Sequence, residues 1–481
     1  VSKRVAVIDL GSNSARMVIF ERTSRLGFYI LGEHKMRVRL GEGAYEKGGV
    51  IQEEAMEKCF LAFAEFKKLI SRYKVSKVLA VGTSALRDAK NRSEFIKKVR
   101  TLGINLRVIS GDEEAYLGGF AASNLLPKFS KAVAIDIGGG STELALIEDG
   151  RVIDTRSLNL GTVRLKELFY DKRNLKGLDE FIKASLDEIP SNFSCENIIA
   201  IGGSLRAISN AIMEIESYPL NLVHGFKYEW DEQKELLSEI STSDALDLNK
   251  FAIKKDRYDT IRGGAYIFKS VVNLIGAKHI TTSGVGVREG VFLTNLIGRN
   301  AKFPAGFNPS LRSLRDRFEM DFRPNIAKFA KDIFEVLKPL HELSDEFIKP
   351  LVTAAKIYDI GLRVSFYSKH SHSSYLVLNS LNYGFTHEEK ALMAIIIKQN
   401  GKKSVVSEFY DYKMLLPSED KIVWLGFILK LAKSLDCGDR KDVSFNFANL
   451  TLEIFGLKDA IFVKDSVKKI SKPAVFAITF N

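Results

Sequence analysis

The first three hundred residues alternate short apolar runs with amphipathic stretches. Residues 5–9, 77–81 and 106–109 predict strands, as do 133–137, 143–147 and 198–201. Residues 52–73 predict a long helix, because Ala55, Cys59, Ala62, Phe63, Phe66 and Ile70 fall on one face. Residues 295–310 contain Gly298, Pro304, Gly306 and Pro309 and read as a linker. The pattern then changes. Residues 308–435 have mainly helical periods, and 443–454 and 473–480 predict strands. The chain therefore reads as an α/β part followed by a helical part that ends in a small β element.

One internal repeat is visible. Arg4-Val-Ala-Val-Ile-Asp-Leu-Gly-Ser-Asn-Ser14 aligns with Lys131-Ala-Val-Ala-Ile-Asp-Ile-Gly-Gly-Gly-Ser141. Each copy is an apolar strand, an Asp, a Gly-rich turn with a Ser, and a second apolar strand. A repeat this long is no solenoid unit; it predicts two related α/β lobes facing each other across a cleft.

The turns carry chemistry. Glycines let backbone N–H groups converge on phosphate oxygens with no Cβ in the way, and Ser hydroxyls add donors. An Asp at the strand end can hold Mg²⁺, directly or through water. Ser12, Asn13 and Ser14 in the first loop, and Gly138, Gly139, Gly140 and Ser141 in the second, are thus candidate phosphate-binding residues. Neither loop is a Walker A motif, since no Gly-Lys-Ser/Thr follows. Gly202-Gly203-Ser204 follows a strand and opens a helix. Gly203 and Ser204 there either offer donors to an anion, with room for a nucleoside, or make a tight strand-to-helix turn.

With these segments in hand, the paired loops resemble those of the actin, sugar-kinase and heat-shock-chaperone superfamily. More narrowly, the chain resembles the exopolyphosphatase/guanosine pentaphosphate phosphohydrolase (Ppx/GppA) family. The resemblance is carried by residues 9–16, 82–89 (Gly-Thr-Ser-Ala-Leu-Arg-Asp-Ala), 109–115 (Ile-Ser-Gly-Asp-Glu-Glu-Ala), 136–143, 158–161, 202–204 and 286–290. It implies two actin-like (ribonuclease H-like) lobes around a cleft, over 1–118 and 119–300, plus a mainly helical, degenerate HD-like C-terminal domain over 305–481.

The resemblance also implies roles. Glu114, the second acid of the Glu113-Glu114 pair, is the general base that activates water; read alone, the pair is ordinary helix N-terminal capping. Asp136 and Glu143 are ligands, direct or through water, of Mg²⁺ or another hard divalent cation. Arg16, Arg87 and Arg257 reach the anion, as guanidinium groups match phosphate oxygens bidentately. Arg262 stands where members often have Pro. Arg288 either faces the cleft or forms a structural ion pair. The implied activity is hydrolysis of phosphoanhydrides: terminal phosphate from inorganic polyphosphate, or guanosine pentaphosphate to tetraphosphate. The alternatives are a kinase or ATPase of the same superfamily, and a non-catalytic sensor of guanosine tetra/pentaphosphate.

In the third domain, His341, Tyr358-Asp359, His370, His372, Asp436 and Asp439 follow the order of an HD phosphohydrolase. Tyr358 breaks the His-Asp doublet such a metal site needs. The expected roles are structure, dimerisation or polyanion binding, with a homodimer implied by the family.

Composition narrows the classes. With 46% hydrophobic and 27% charged residues the chain can fill several cores, so a largely disordered protein is excluded. No apolar run approaches the roughly 18 residues that span a bilayer. The N-terminus reads as a strand and not as a signal peptide. Cys59, Cys195 and Cys437 lie far apart, in neither CxxC nor framework spacing, so a cytoplasmic setting is expected. The net charge of +12 is spread along the chain. That spread fits either a polyanionic ligand, with no specific nucleic acid, or a generally basic proteome.

Overall fold

The computed structural model describes residues 3–44, 48–319, 324–436 and 442–481; Cys437 and Asp439 lie outside the described residues. The chain divides into two compact units, Val1–Pro309 and Ser310–Asn481.

The first unit contains two sheets. Strands β1 (Lys3–Leu10), β2 (Ser14–Arg22), β3 (Phe28–Arg37), β4 (Lys77–Gly82) and β5 (Leu106–Val108) form a sheet of order β3-β2-β1-β4-β5. Strands β6 (Lys131–Ile137), β7 (Thr142–Glu148), β8 (Arg151–Leu158), β9 (Asn197–Ile201), β10 (Lys227–Glu229) and β11 (His279–Thr282) form the second, of order β10-β11-β9-β6-β7-β8. The repeat in the sequence is a repeat of topology. β1 pairs antiparallel with β2 and parallel with β4, and β6 pairs antiparallel with β7 and parallel with β9.

Both first strands are central and covered on both faces. Val5 to Ile8 and Ala132 to Ile135 are all buried, which is why they read as unbroken apolar runs and not as alternation. The helix expected over 52–73 is Glu53–Arg72, with Gln52 as an extended N-cap, Glu53 and Glu54 in its first turn and Arg72 in its last. Those charges complement the helix dipole. Its predicted face is buried with Met56 added.

Helix Gly111–Leu125 packs on β6, β7 and β8 and against helix Val287–Ile297. The two helices touch at Gly290, where a Cβ would fall on the Leu117 carbonyl. Residues 118 and 119 sit in the middle of Gly111–Leu125. Helix Val287–Ile297 runs into the predicted linker and shortens the irregular stretch to the residues before Pro309.

The second unit is mainly helical, around a core that includes Phe329, Phe334, Tyr358, Ile395, Leu425 and Phe427. Its sheet is β12 (Ser444–Ala448), β13 (Thr451–Phe455) and β14 (Ala477–Phe480), in that order. The run predicted over 443–454 is thus a hairpin. Helix Ile461–Lys468 separates it from β14. Cys59 and Cys195 are free and buried. Among the described residues no helix is long and apolar enough to cross a membrane.

Candidate active site

The two Gly/Ser turns are closed by the same hydrogen bond. Gly11 N donates to Ser14 O at 3.1 Å, and Gly138 N donates to Ser141 O at 2.9 Å. The turns abut: a Cβ on Gly139 would lie 3.0 Å from Ser12 Cβ. Between them is a cleft of about 150 Å³. Its lining includes Asp9, Ser12, Asn13, Ser14, Arg16, Lys35, Glu114, Asp136, Gly138, Gly139, Gly140, Ser141, Gly203, Ser204, Arg206, Arg257 and Arg288.

Glycine is required at position 202, where the second lobe borders this space. Gly202 has φ +98°, and a Cβ there would sit 2.5 Å from Asp136 Oδ1. A Cβ on Gly203 would lie 2.9 Å from Arg257 Nη1. The Gly202-Gly203-Ser204 segment is therefore a tight turn, and it also opens helix Gly203–Ile215 at the cleft.

The Glu113-Glu114 pair divides its work. Ser110 caps helix Gly111–Leu125 by accepting from Glu113 N, and the Glu113 carboxylate pairs with Arg107 at 2.8 Å. Glu114 turns to the cleft instead. Arg87 Nη1 donates to Glu114 Oε2 at 2.9 Å.

Arg87 and Glu143 do not line the cleft. Arg87 meets Glu114 instead, with 20% of its side chain exposed against 12% for Glu114. The Arg87 guanidinium is 3.9 Å from the Glu143 carboxylate, which is 2% exposed and accepts from Ser157 Oγ at 3.0 Å. Asp136 and Glu143 are direct cross-strand partners in the β6–β7 hairpin. One reaches the cleft, and the other stands in the layer beneath.

Burial dominates the electrostatics. It raises Asp9, lifts Asp136 to about 6, helped by the charge of Asp9, and lifts Glu143 to about 8, helped by Asp136. Glu114 is raised well above the ordinary carboxylate range by burial and by Glu143, against the pull of Arg87. Burial and the positive charges of Arg288 and Arg206 push Arg16 down to about 10. Carboxyls with raised pKa values and several cations gathered at one cleft mark it as a candidate functional site for a charged ligand.

The oxygen-only donors of Asp136 and Glu143 suit a hard divalent cation, whose charge would relieve their mutual repulsion. Among the described residues no three His, Cys, Asp or Glu side chains gather into a metal cluster. Phosphate oxygens and water would have to complete the coordination shell.

Sequence reasoning missed Arg206 and Lys35. Arg206 follows Gly203 by three residues, so it lies on the cleft-facing side of the helix, a signal the sequence did offer. Lys35 sits on β3, outside any motif. Arg288 satisfies both of its readings, lining the cleft while pairing with Glu33 at 2.6 Å. Arg262 stacks its guanidinium over Tyr170 at 4.8 Å. A second cavity of about 280 Å³ shares Arg16, Gly203, Arg206 and Arg257 with the cleft and adds Asn210, Glu214, Val223 and Lys254.

In the second unit, Tyr358 is buried and its hydroxyl donates to Asn400 Oδ1 at 2.6 Å. Asp359 is paired with Lys369 at 3.2 Å and with Lys433. Two ammonium groups thus stand against the carboxylate that an HD site would give to a metal. His341 has both ring nitrogens engaged, by Phe334 O at 2.8 Å and Leu343 N at 2.9 Å.

A family model described as the Ppx/GppA phosphatase family matches residues 18–297, and one described as Ppx/GppA phosphatase, domain III, matches residues 308–460. The chain is similar to the crystal structure of the Aquifex aeolicus member of the Ppx/GppA family, at 28% identity and a TM-score of 0.53, over 63% of this chain and 100% of that one. It also shares its fold with an exopolyphosphatase from Cytophaga hutchinsonii, at 24% identity and a TM-score of 0.56, over 62% and 98% of the two chains.

Proposed function

The chain belongs to the Ppx/GppA phosphatase family, with two actin-like lobes in its first unit and the helical domain III in its second, and we propose that it is a magnesium-dependent hydrolase removing the terminal phosphate of inorganic polyphosphate or of guanosine pentaphosphate. The observation that carries this reading is the placement of Glu114 at a cleft where both Gly/Ser loops and Arg16, Arg206, Arg257, Arg288 and Lys35 converge.

Hydrolysis of a phosphoanhydride needs an oriented water and neutralised charge more than covalent chemistry. The backbone N–H groups and hydroxyls of the two loops bind the terminal phosphoryl group. The arginines and Lys35 take up negative charge on its equatorial oxygens and on the leaving phosphate. Glu114 accepts a proton from the attacking water. Burial and the Glu143 charge raise its pKa, which makes its carboxylate a stronger base. Arg87 fixes the orientation of that carboxylate.

Magnesium would be held by Asp136, with Glu143 at one remove, and supplies neutralisation of phosphate oxygens when bound. The second cavity takes the rest of the substrate beyond its terminal phosphates, whether chain or nucleoside. A homodimer and a cytoplasmic setting belong to the same proposal.

Orthophosphate release from long-chain polyphosphate, guanosine pentaphosphate and ATP, assayed side by side with magnesium, tests it. Fast release from either of the first two and slow release from ATP supports the reading. Release from ATP alone favours an ATPase, and binding of guanosine tetraphosphate without any turnover favours a sensor.

A further inference from the structure

Two arginines tie one lobe to the other beside the cleft, and each tie ends next to another arginine: Arg87, which holds Glu114, or Arg257, which lines the cleft. Arg164, which follows β8 in the second lobe, donates from Nε to the Gly140 carbonyl at 2.9 Å. Its Nη2 meets Asp88 of the first lobe at 3.2 Å. Asp88 is the neighbour of Arg87, which holds Glu114. On the other side, Arg37 at the end of β3 pairs with Asp259 of the second lobe, and Arg39 approaches the same carboxylate at 3.6 Å. Asp259 follows Arg257 by two residues, and the Arg257 guanidinium lies against Gly203.

Both ties are anchored on a phosphate loop. Arg164 holds Gly140 of the second loop. The segment after Arg37 holds the first, since Val38 N and Arg39 N both donate to Asn13 O, at 3.1 and 3.0 Å, and Gly41 N donates to Ser12 O at 2.9 Å. Each tie therefore links three parts: a phosphate loop, the opposite lobe, and the backbone next to Arg87 or Arg257.

These pairs are only partly buried, with side-chain exposures of 17% and 33% for Arg164 and Asp88, and 37% and 26% for Arg37 and Asp259. Ion pairs of that exposure add little to stability. Geometry is a different matter, because small displacements of a group that holds a base or a phosphate change rates steeply.

We propose that Asp88 and Asp259 are positioning residues, through which Arg164 and Arg37 of the opposite lobes set Arg87 and Arg257 when the lobes close on the loops. The inference rests on the hydrolase reading for its kinetic consequences. The two ties should differ in what they govern. Arg87 acts on Glu114, so the Asp88 tie governs the chemical step. Arg257 lies among the groups that bind the anion, so the Asp259 tie governs affinity.

The test uses the full chain with tripolyphosphate and magnesium. Asp88→Asn should lower kcat about tenfold with KM within about twofold, and Asp259→Asn should raise KM about tenfold with kcat within about twofold. Arg164→Gln combined with Asp88→Asn should be no worse than Arg164→Gln alone, since that variant already breaks the tie. Thermal unfolding should move little in any of them. Equal losses in kcat and KM from both Asp variants, or multiplying losses in the Arg164/Asp88 double variant, overturn the proposal while leaving the hydrolase reading intact. If the wild-type chain hydrolyses no phosphoanhydride, that reading falls, and calorimetric binding of tripolyphosphate decides about the ties. About tenfold weaker binding by Asp259→Asn sustains them. Unchanged binding, or none by the wild-type chain, overturns them.

Discussion

Arg87 Nη1 donates to Glu114 Oε2 at 2.9 Å, and the same guanidinium stands 3.9 Å from the Glu143 carboxylate. The arginine is therefore shared between a carboxylate at the cleft and one beneath it. Removing the basicity of Glu114 while keeping its shape isolates its role. Glu114→Gln should lower kcat by roughly 10²–10⁴-fold and leave substrate binding largely intact. Steady-state kinetics with calorimetric binding of the same substrate checks this, and near-normal turnover would remove Glu114 from the role of base.

The two acids of the β6–β7 hairpin should not respond alike. Asp136 lines the cleft and Glu143 lies below it. Asp136→Asn should raise the magnesium concentration for half-maximal activity by about tenfold or more, because a ligand oxygen is lost at the cleft. Glu143→Gln should shift that titration less and lower kcat more, by freeing Arg87. Identical magnesium titrations for Asp136→Asn and the wild-type chain would contradict this assignment.

The contact of helices Gly111–Leu125 and Val287–Ile297 depends on Gly290. A Cβ there meets the Leu117 carbonyl, which is backbone and has little room to yield. Gly290→Ala should destabilise the first unit by about 1–3 kcal/mol, as overpacking does. It should also slow turnover, because Glu114 lies one turn before Leu117 on the same helix. Calorimetric melting and kcat of the variant measure both, and an unchanged transition would show that the helices move apart at no cost.

Lys390 gives a pH dependence of stability in the second unit. Its side chain is 1% exposed and its Nζ has no hydrogen-bond partner. Burial pulls its pKa down to about 8, from an ordinary value of about 10.4. Below pH 8 the folded chain must bury a charge that the unfolded chain keeps in water, so the cost is fully present there. It fades as pH rises from the folded toward the unfolded pKa. Lys390→Met should therefore stabilise this unit at pH 7 by on the order of 3 kcal/mol, and by much less near pH 10. Denaturant melts at the two pH values check it; an equal effect at both, or destabilisation at pH 7, would contradict the argument.

Much of this was legible in the sequence, for physical reasons that can be named. Central strands covered on both faces give unbroken apolar runs, so β1 and β6 were plain, and the Asp-Gly-Ser turn that ends each is local in sequence. Glu114 could be separated from Glu113 only through the resemblance. In the structure the separation follows from helix geometry, with one acid at the cap facing Arg107 and the next at the cleft. What the sequence did not disclose was depth. Arg87 and Glu143 sit in motifs beside cleft residues, yet neither lines the cleft: Arg87 turns to Glu114, and Glu143 is buried. Lys35 and the pairs Arg164–Asp88 and Arg37–Asp259 join segments far apart in the chain, which no local pattern records.

In the proposed reaction water attacks the terminal phosphorus with Glu114 as its base. Hydrolysis of tripolyphosphate in ¹⁸O-labelled water reads this at the atom concerned. One labelled oxygen is expected in the released orthophosphate, with unlabelled pyrophosphate and almost no label transferred by Glu114→Gln in the same time. Label in the pyrophosphate, or orthophosphate released unlabelled, would contradict it.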